Sequence, residues 1–258
     1  MTSTPDAAPA VATRLLDDAL EFAREAGDFT MRYFESGDLA VDYKGDGSPV
    51  TEADRGAELL LRRRLAERYP HDAIVGEEHD DRAGTSGRTW MLDPVDGTKS
   101  FTHGVPLFAN LVAVLDEHGP AVGVLNLPAL GEVVYAGRGL GCFHNGNQVR
   151  VNDVDDISRS AICASGFEGV DPEPFGRLCA SGAIVRTWGD AYGYFLVATG
   201  RVEAMIDYGL NPWDIAPMHV IIDEAGGRIS DWDAQPLPMS GNTLATNGHM
   251  HDPILGLL

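Results

Sequence analysis

The run Thr89-Trp90-Met91-Leu92-Asp93-Pro94-Val95-Asp96-Gly97-Thr98 carries an apolar, strand-like segment into two carboxylates three residues apart. Pro94 fixes the chain direction after Asp93, and Gly97 permits a close turn. A loop of this make-up can aim both carboxylates and the Val95 carbonyl at one point, the all-oxygen surrounding that a hard cation such as Mg²⁺ takes. If Gly97 and Thr98 open a helix, their N–H groups face the same point and can hold an anionic oxygen. The same residues also make an ordinary Asp-Pro…Asp-Gly turn, since Asp, Pro and Gly dominate turns. The flanking chain decides between the two.

Downstream the apolar rhythm is that of short strands: residues 110–116, 121–128 and 132–137, then a hairpin over 142–151 with Asn145-Gly146 as its turn. Short connections between consecutive strands predict a largely antiparallel sheet. Upstream, Ala12, Leu15, Leu16, Ala19, Phe22, Ala23 and Ala26 fall at helical spacing over residues 11–34. Residues 40–50 read as a Gly- and Pro-containing loop or hairpin. A second helix is predicted over 53–68, capped by Thr51 with Asp54, ended by Pro70, and striped by Leu59, Leu60, Leu61 and Leu65. After about residue 155 strand and helix alternate: strands over 161–166, 183–188 and 202–209, helices over 191–200 and 214–227, the last stopped by Gly226-Gly227. The expected fold is an α+β / α/β layered sandwich with alternating helix and sheet layers. Its expected parts are a loose N-terminus over 1–10, an α+β half over 11–152 and an α/β half over 153–258, sharing a core.

A chain of 258 residues with 44% apolar and 22% charged residues can bury a substantial core. Its net charge of −20 repels nucleic acid and anionic membranes. Three cysteines, with no Cys-x-x-Cys pair, give neither a disulfide framework nor a zinc site. No apolar run has the length of a membrane span, and no secretory signal is read at the N-terminus. The cytoplasm is the expected compartment. His71, His79, His103 and His144 lack metal-ligand spacing and read as surface or rim residues.

Three further acidic sites accompany the central loop. Glu77 and Glu78 follow the apolar Ile74-Val75, Asp214 follows Pro212-Trp213 ahead of a helix, and Asp54 lies within Thr51-Glu52-Ala53-Asp54. Each alone is open to a plainer use, as a solvated strand end or a helix cap. Together and in this order, the segments VTEAD (50–54), GEE (76–78), DPVDGT (93–98) and WD (213–214) resemble the motifs of the inositol monophosphatase family of metal-dependent phosphatases. The resemblance runs from about residue 11 to the end. It implies that Glu77, Asp93 and the Val95 carbonyl bind one Mg²⁺, that Asp93, Asp96 and Asp214 bind a second, and that Glu77 helps hold a third through water. It further implies that Asp54 and Thr98 activate the nucleophilic water, that the Gly97 and Thr98 N–H groups cradle the phosphate, and that hydrolysis is in-line with no covalent intermediate. Lys44 is expected near the phosphate by analogy with a basic residue of the family's mobile loop, and a homodimer is implied.

Lys99-Ser100-Phe101, the following Gly104-Val105-Pro106-Leu107-Phe108, the run from Arg186 to Tyr194 and the closing Leu244-Ala245-Thr246-Asn247-Gly248 resemble the histidinol-phosphate phosphatase branch of that family. Asp190 and Asp207 would then face the alcohol portion of the substrate, where two carboxylates suit a cation. Asn211 is a further candidate on the same rim, and Trp188 reads as core. The expected reaction is hydrolysis of L-histidinol phosphate in histidine biosynthesis. The alternatives are an inositol-1-monophosphatase or broad sugar phosphatase and, in a different class, a catalytically idle regulatory homologue. The last would show a broken acidic set, and here the set is complete.

Overall fold

The computed structural model describes residues 8–34, 36, 40–45, 47–166 and 171–258. The expectation for a loose 1–10 segment falls mostly outside the described residues; from Pro9 onward the chain is fastened, the Pro9 carbonyl accepting Arg138 Nε at 3.0 Å.

The first part of the chain forms α1 (Thr13–Phe34), a hairpin of β1 (Val41–Tyr43) and β2 (Pro49–Thr51), α2 (Glu52–Arg68) and β3 (Ala73–Gly76). Then come β4 (Thr89–Asp96), the short α3 (Thr98–Thr102), β5 (Ala109–Asp116), β6 (Gly119–Leu127), β7 (Glu132–Gly137), β8 (Gly141–His144) and β9 (Asn147–Gln148). The strands β3 to β9 form one sheet in sequence order, antiparallel except for the β3–β4 pair. From β5 to β9 tight connections dictate this, because a short turn can only reverse the chain. Asn145 and Gly146, both at positive φ, make the turn between β8 and β9.

The second part forms β10 (Ala161–Ala164), α4 (Pro172–Ala180), β11 (Ile184–Arg186), α5 (Ala191–Ala198), β12 (Ala204–Leu210), α6 (Pro212–Glu224), β13 (Arg228–Ser230), β14 (Gly241–Thr246) and α7 (His251–Leu255). Its five strands take the order β11-β10-β12-β14-β13. β11, β10 and β12 run parallel, linked by helical crossovers, and β14 runs antiparallel to both of its neighbours.

Strand alternation sorts the core into layers. Trp90 and Leu92 of β4 with Val112 and Val114 of β5 pack against α1 and α2. Ala109 and Leu111, one step out of phase, pack on the other face with α5, α6 and Met205 of β12. The far side of the five-stranded sheet is covered by Leu178 of α4 and Ile254 of α7. The result is a sandwich of helices, sheet, helices, sheet and helices, as the alternation of elements predicts. The cluster around α5 and α6 draws on residues from both sides of residue 152.

Two expectations are corrected. The buried face of α2 is Ala53, Ala57, Leu61 and Leu65, while Leu59 is 51% exposed. In a run of three leucines, only the spacing to the flanking alanines tells which one faces the sheet. Trp188 is 41% exposed and lies beyond the edge strand β11, not in the core.

Candidate active site

β4 ends in an irregularity that re-aims its side chains. Asp93 pairs with Leu111 but Asp96 pairs with Ala109, so three steps along β4 match two along β5. Asp93 Oδ1 accepts the Val95 N–H at 3.0 Å. The Pro94 carbonyl accepts Asn110 Nδ2 at 2.7 Å, and Asn110 Oδ1 accepts Asn126 Nδ2, which also donates to the Ala23 carbonyl of α1. This buried amide relay pins the loop to β5, β6 and the first helix.

α6 brings the third carboxylate. Asp214 stands at its third position and Oδ2 accepts the Asn211 N–H at 2.7 Å, so the helix-capping bond also orients the carboxylate. One oxygen from each of Asp93, Asp96 and Asp214 lies within 4.8 Å of the other two. Burial, then the charges of Glu77, Asp96 and Asp214, hold Asp93 well above the usual carboxylate range. Burial, then Asp190 and Asp214, do the same to Asp96. Asp214 is pushed up to about 6, mainly by burial. Crowded carboxylate oxygens short of positive charge fit a hard divalent cation and suit Mg²⁺.

Glu77 follows β3 and joins the cluster through its contact with Asp93. Beneath it lies Glu58, fully buried, whose Oε2 accepts the Glu78 N–H at 2.7 Å and whose Oε1 accepts Arg62 Nε. A Cβ at Gly76 would stand 2.2 Å from Glu58 Oε1, so only glycine lets this turn settle on the carboxylate. Lys44 reaches in from the β1–β2 hairpin and donates to Glu77 Oε1 at 2.6 Å and Glu78 Oε1 at 2.5 Å. It stands on the acidic pair at the candidate site. Burial works against its charge, yet these bonds hold its pKa above the usual lysine value.

Asp54 is the third residue of α2. Its Oδ2 accepts both the Thr51 N–H (2.8 Å) and the Thr51 hydroxyl (2.5 Å), and its Oδ1 faces Thr98 Oγ1 at 3.4 Å. Thr98 Oγ1 also donates to the Val95 carbonyl at 3.0 Å. Burial lifts Asp54 to about 6 against the lowering effect of the Thr51 bonds. Gly97, at φ 78°, lies just before α3, so Gly97 and Thr98 do open a helix, of five residues.

Asp96, Lys99, Ser165, Asp190, Asp207 and Asp214 line one cavity of about 370 Å³. Asp190 adopts φ 51° and ψ −154°, a strained conformation for a residue with a side chain. Burial raises it to about 6, against the nearby Lys99 charge. Asp207 is pushed up to about 8 by burial, although bonds from Ser165 and Tyr208 oppose the shift. Asn211 is exposed at the start of α6 and is not among the residues lining this cavity. Sequence reasoning missed Ser165, Glu58, Asn110 and Asn126. Gly76 was the one available signal, as a glycine ahead of an acidic pair.

The inositol monophosphatase family model matches residues 12–257. A histidinol-phosphatase of Chlorobaculum parvum is 42% identical over 232 residues, covering 88% of this chain and 90% of the relative. A histidinol-phosphatase of Mycobacterium tuberculosis is 37% identical over 246 residues, covering 92% and 95%. Among solved structures, an IMPase of Thermotoga maritima superposes with a TM-score of 0.87 at 29% identity, over 95% of this chain and 96% of that one.

Proposed function

The chain belongs to the inositol monophosphatase family, and from that premise we propose that it is a Mg²⁺-dependent phosphatase that hydrolyses L-histidinol phosphate to L-histidinol and phosphate. The observation that carries this is a single cavity lined both by Asp96 and Asp214 of the three-carboxylate cluster and by the pair Asp190 and Asp207. A phosphate ester of an amino alcohol has matching ends, an anion for the metal side and an ammonium for the carboxylate pair. The names of the two histidinol-phosphatase relatives support the same substrate.

In this reading Asp93, Asp96, Asp214, Glu77 and the Val95 carbonyl hold two to three Mg²⁺ ions. The chemistry those ions supply when bound is neutralisation of phosphate charge and activation of water. Asp54 and Thr98 orient the attacking water, and Asp54, with its pKa near neutrality, takes its proton. The N–H groups of Gly97 and Thr98 hold phosphate oxygens. Asp190 and Asp207 receive the amine. The enzyme is taken to be a cytoplasmic homodimer of histidine biosynthesis; among the described residues no helix is long and apolar enough to cross a membrane.

The second reading, an inositol monophosphatase, is favoured by the 0.87 superposition on the Thermotoga maritima IMPase. Phosphate release from the purified protein with Mg²⁺ separates the two. Expected is a higher kcat/KM on L-histidinol phosphate than on inositol 1-phosphate; the reverse order would sink the histidinol phosphate assignment.

A further inference from the structure

We propose that Ser165 is a positioning residue that sets substrate preference, by clamping Asp190 and Asp207 into a pair that receives a protonated amine. The proposal rests on the amino-alcohol phosphate reading and deepens it. Ser165 directly follows β10, Asp207 lies on the neighbouring β12, and Asp190 immediately precedes α5. Three separate elements therefore meet at one hydroxyl. Ser165 Oγ donates to Asp207 Oδ1 at 2.8 Å and accepts the Asp190 N–H at 2.9 Å. A hydroxyl has one proton to donate and lone pairs to accept, so one side chain serves both bonds.

The consequences differ for the two carboxylates. Asp207 Oδ1 also accepts the Tyr208 N–H at 3.0 Å, so both bonds fall on the same oxygen, and among the described residues none falls on Oδ2. Asp190 is held through its backbone. Its strained φ of 51° is fixed on one side by the Ser165 bond and on the other by Ala191, whose N–H donates to Asp96 Oδ2 at 2.7 Å. Gly189 seals the joint, since a Cβ there would stand 2.1 Å from Ser165 Cα. With its backbone so held, the Asp190 carboxylate reaches over the phosphate loop, Oδ2 being 3.2 Å from where a Cβ on Gly97 would be. Removing the Ser165 hydroxyl releases the backbone that aims Asp190 and one of the bonds that orient Asp207. It touches none of the bonds described for Asp54, Asp93 or Thr98.

The test is steady-state phosphate release by the full chain with Mg²⁺, for wild type, Ser165→Ala and Ser165→Thr. Two esters are compared: L-histidinol phosphate, which carries an amine, and glycerol 2-phosphate, which does not. Expected for Ser165→Ala is a KM on L-histidinol phosphate raised about tenfold, the order for losing a hydrogen bond to a charged group. On that ester kcat changes less than KM, and kcat/KM on glycerol 2-phosphate falls less than on L-histidinol phosphate, so that the preference for the amine-bearing ester narrows. Ser165→Thr restores most of the loss. Equal losses on both esters, or no loss on either, would overturn the clamp alone. A wild-type enzyme with no preference for the amine-bearing ester would overturn the substrate reading and the clamp with it. If Ser165→Ala melts well below the wild type, Ser165→Cys, which keeps the volume and weakens both bonds, replaces it under the same criteria.

Discussion

Asp54 and Asp214 occupy the same place in two helices, the third residue, and each accepts the N–H of the residue that precedes its helix. In the sequence, capping and chemistry stand as competing uses of such a residue. The geometry makes them compatible, because a capping bond uses one carboxylate oxygen and fixes where the other points. For Asp54 the other oxygen faces Thr98. Asp54→Asn keeps a capping acceptor and removes the proton acceptor. It is expected to lower kcat by about 10²–10⁴-fold, the usual worth of a general base, with a small change in melting temperature. A kcat close to wild type, measured by phosphate release, would remove Asp54 from the chemistry.

The element that couples site to scaffold is α6, which carries Asp214 and packs on β6 at closest approach. A Cβ on Gly123 would stand 2.2 Å from the Pro217 carbonyl oxygen, a backbone atom that no side-chain rotation can move aside. Gly123→Ala should therefore push α6 off the sheet. We expect about 1–3 kcal/mol of lost stability by denaturant titration, together with weaker Mg²⁺ binding by calorimetry, as Asp214 retreats from Asp93 and Asp96. Unchanged stability would mean that the close approach is not a constraint. Elements of this kind divide what sequence could tell from what it could not. α1, β4, β5, β6, β7 and α6 are long or strongly patterned, and their spacing announced them. α4, β13, β14 and α7 escaped, and β14 for one holds its shape through partners distant in sequence, between β12 and β13. The same holds at the site. The acidic set was legible because Asp-Pro-x-Asp-Gly-Thr keeps its residues adjacent. Ser165 was not, because its two partners lie 25 and 42 residues away and come together only in the fold.

Across the whole molecule, five layers bury titratable groups that the unfolded chain exposes, and stability must follow pH accordingly. His251 is fully buried, its two ring nitrogens facing the Ser230 and Thr246 hydroxyls at 2.9 and 3.1 Å. Burial, then the nearby Arg228 charge, push its pKa down to about 4 from an ordinary 6.5. Its contribution is complete above pH 6.5 and is lost as pH falls toward 4, because the unfolded chain takes up the proton first. Wild type should lose up to about 3 kcal/mol relative to His251→Asn across that window, read by urea unfolding at pH 7 and pH 4. A difference that does not change with pH would show that His251 titrates as it does in water.

In the proposed reading, the cavity where the end of β4 and the start of α6 meet Asp190 and Asp207 sets the orientation of the substrate. The most direct test is a crystal structure with Mn²⁺ in place of Mg²⁺ and L-histidinol bound, solved with anomalous data. Expected are anomalous peaks bounded by Asp93, Asp96 and Asp214, with the histidinol ammonium between Asp190 and Asp207. Metal held elsewhere, or an ammonium turned away from that pair, would contradict it.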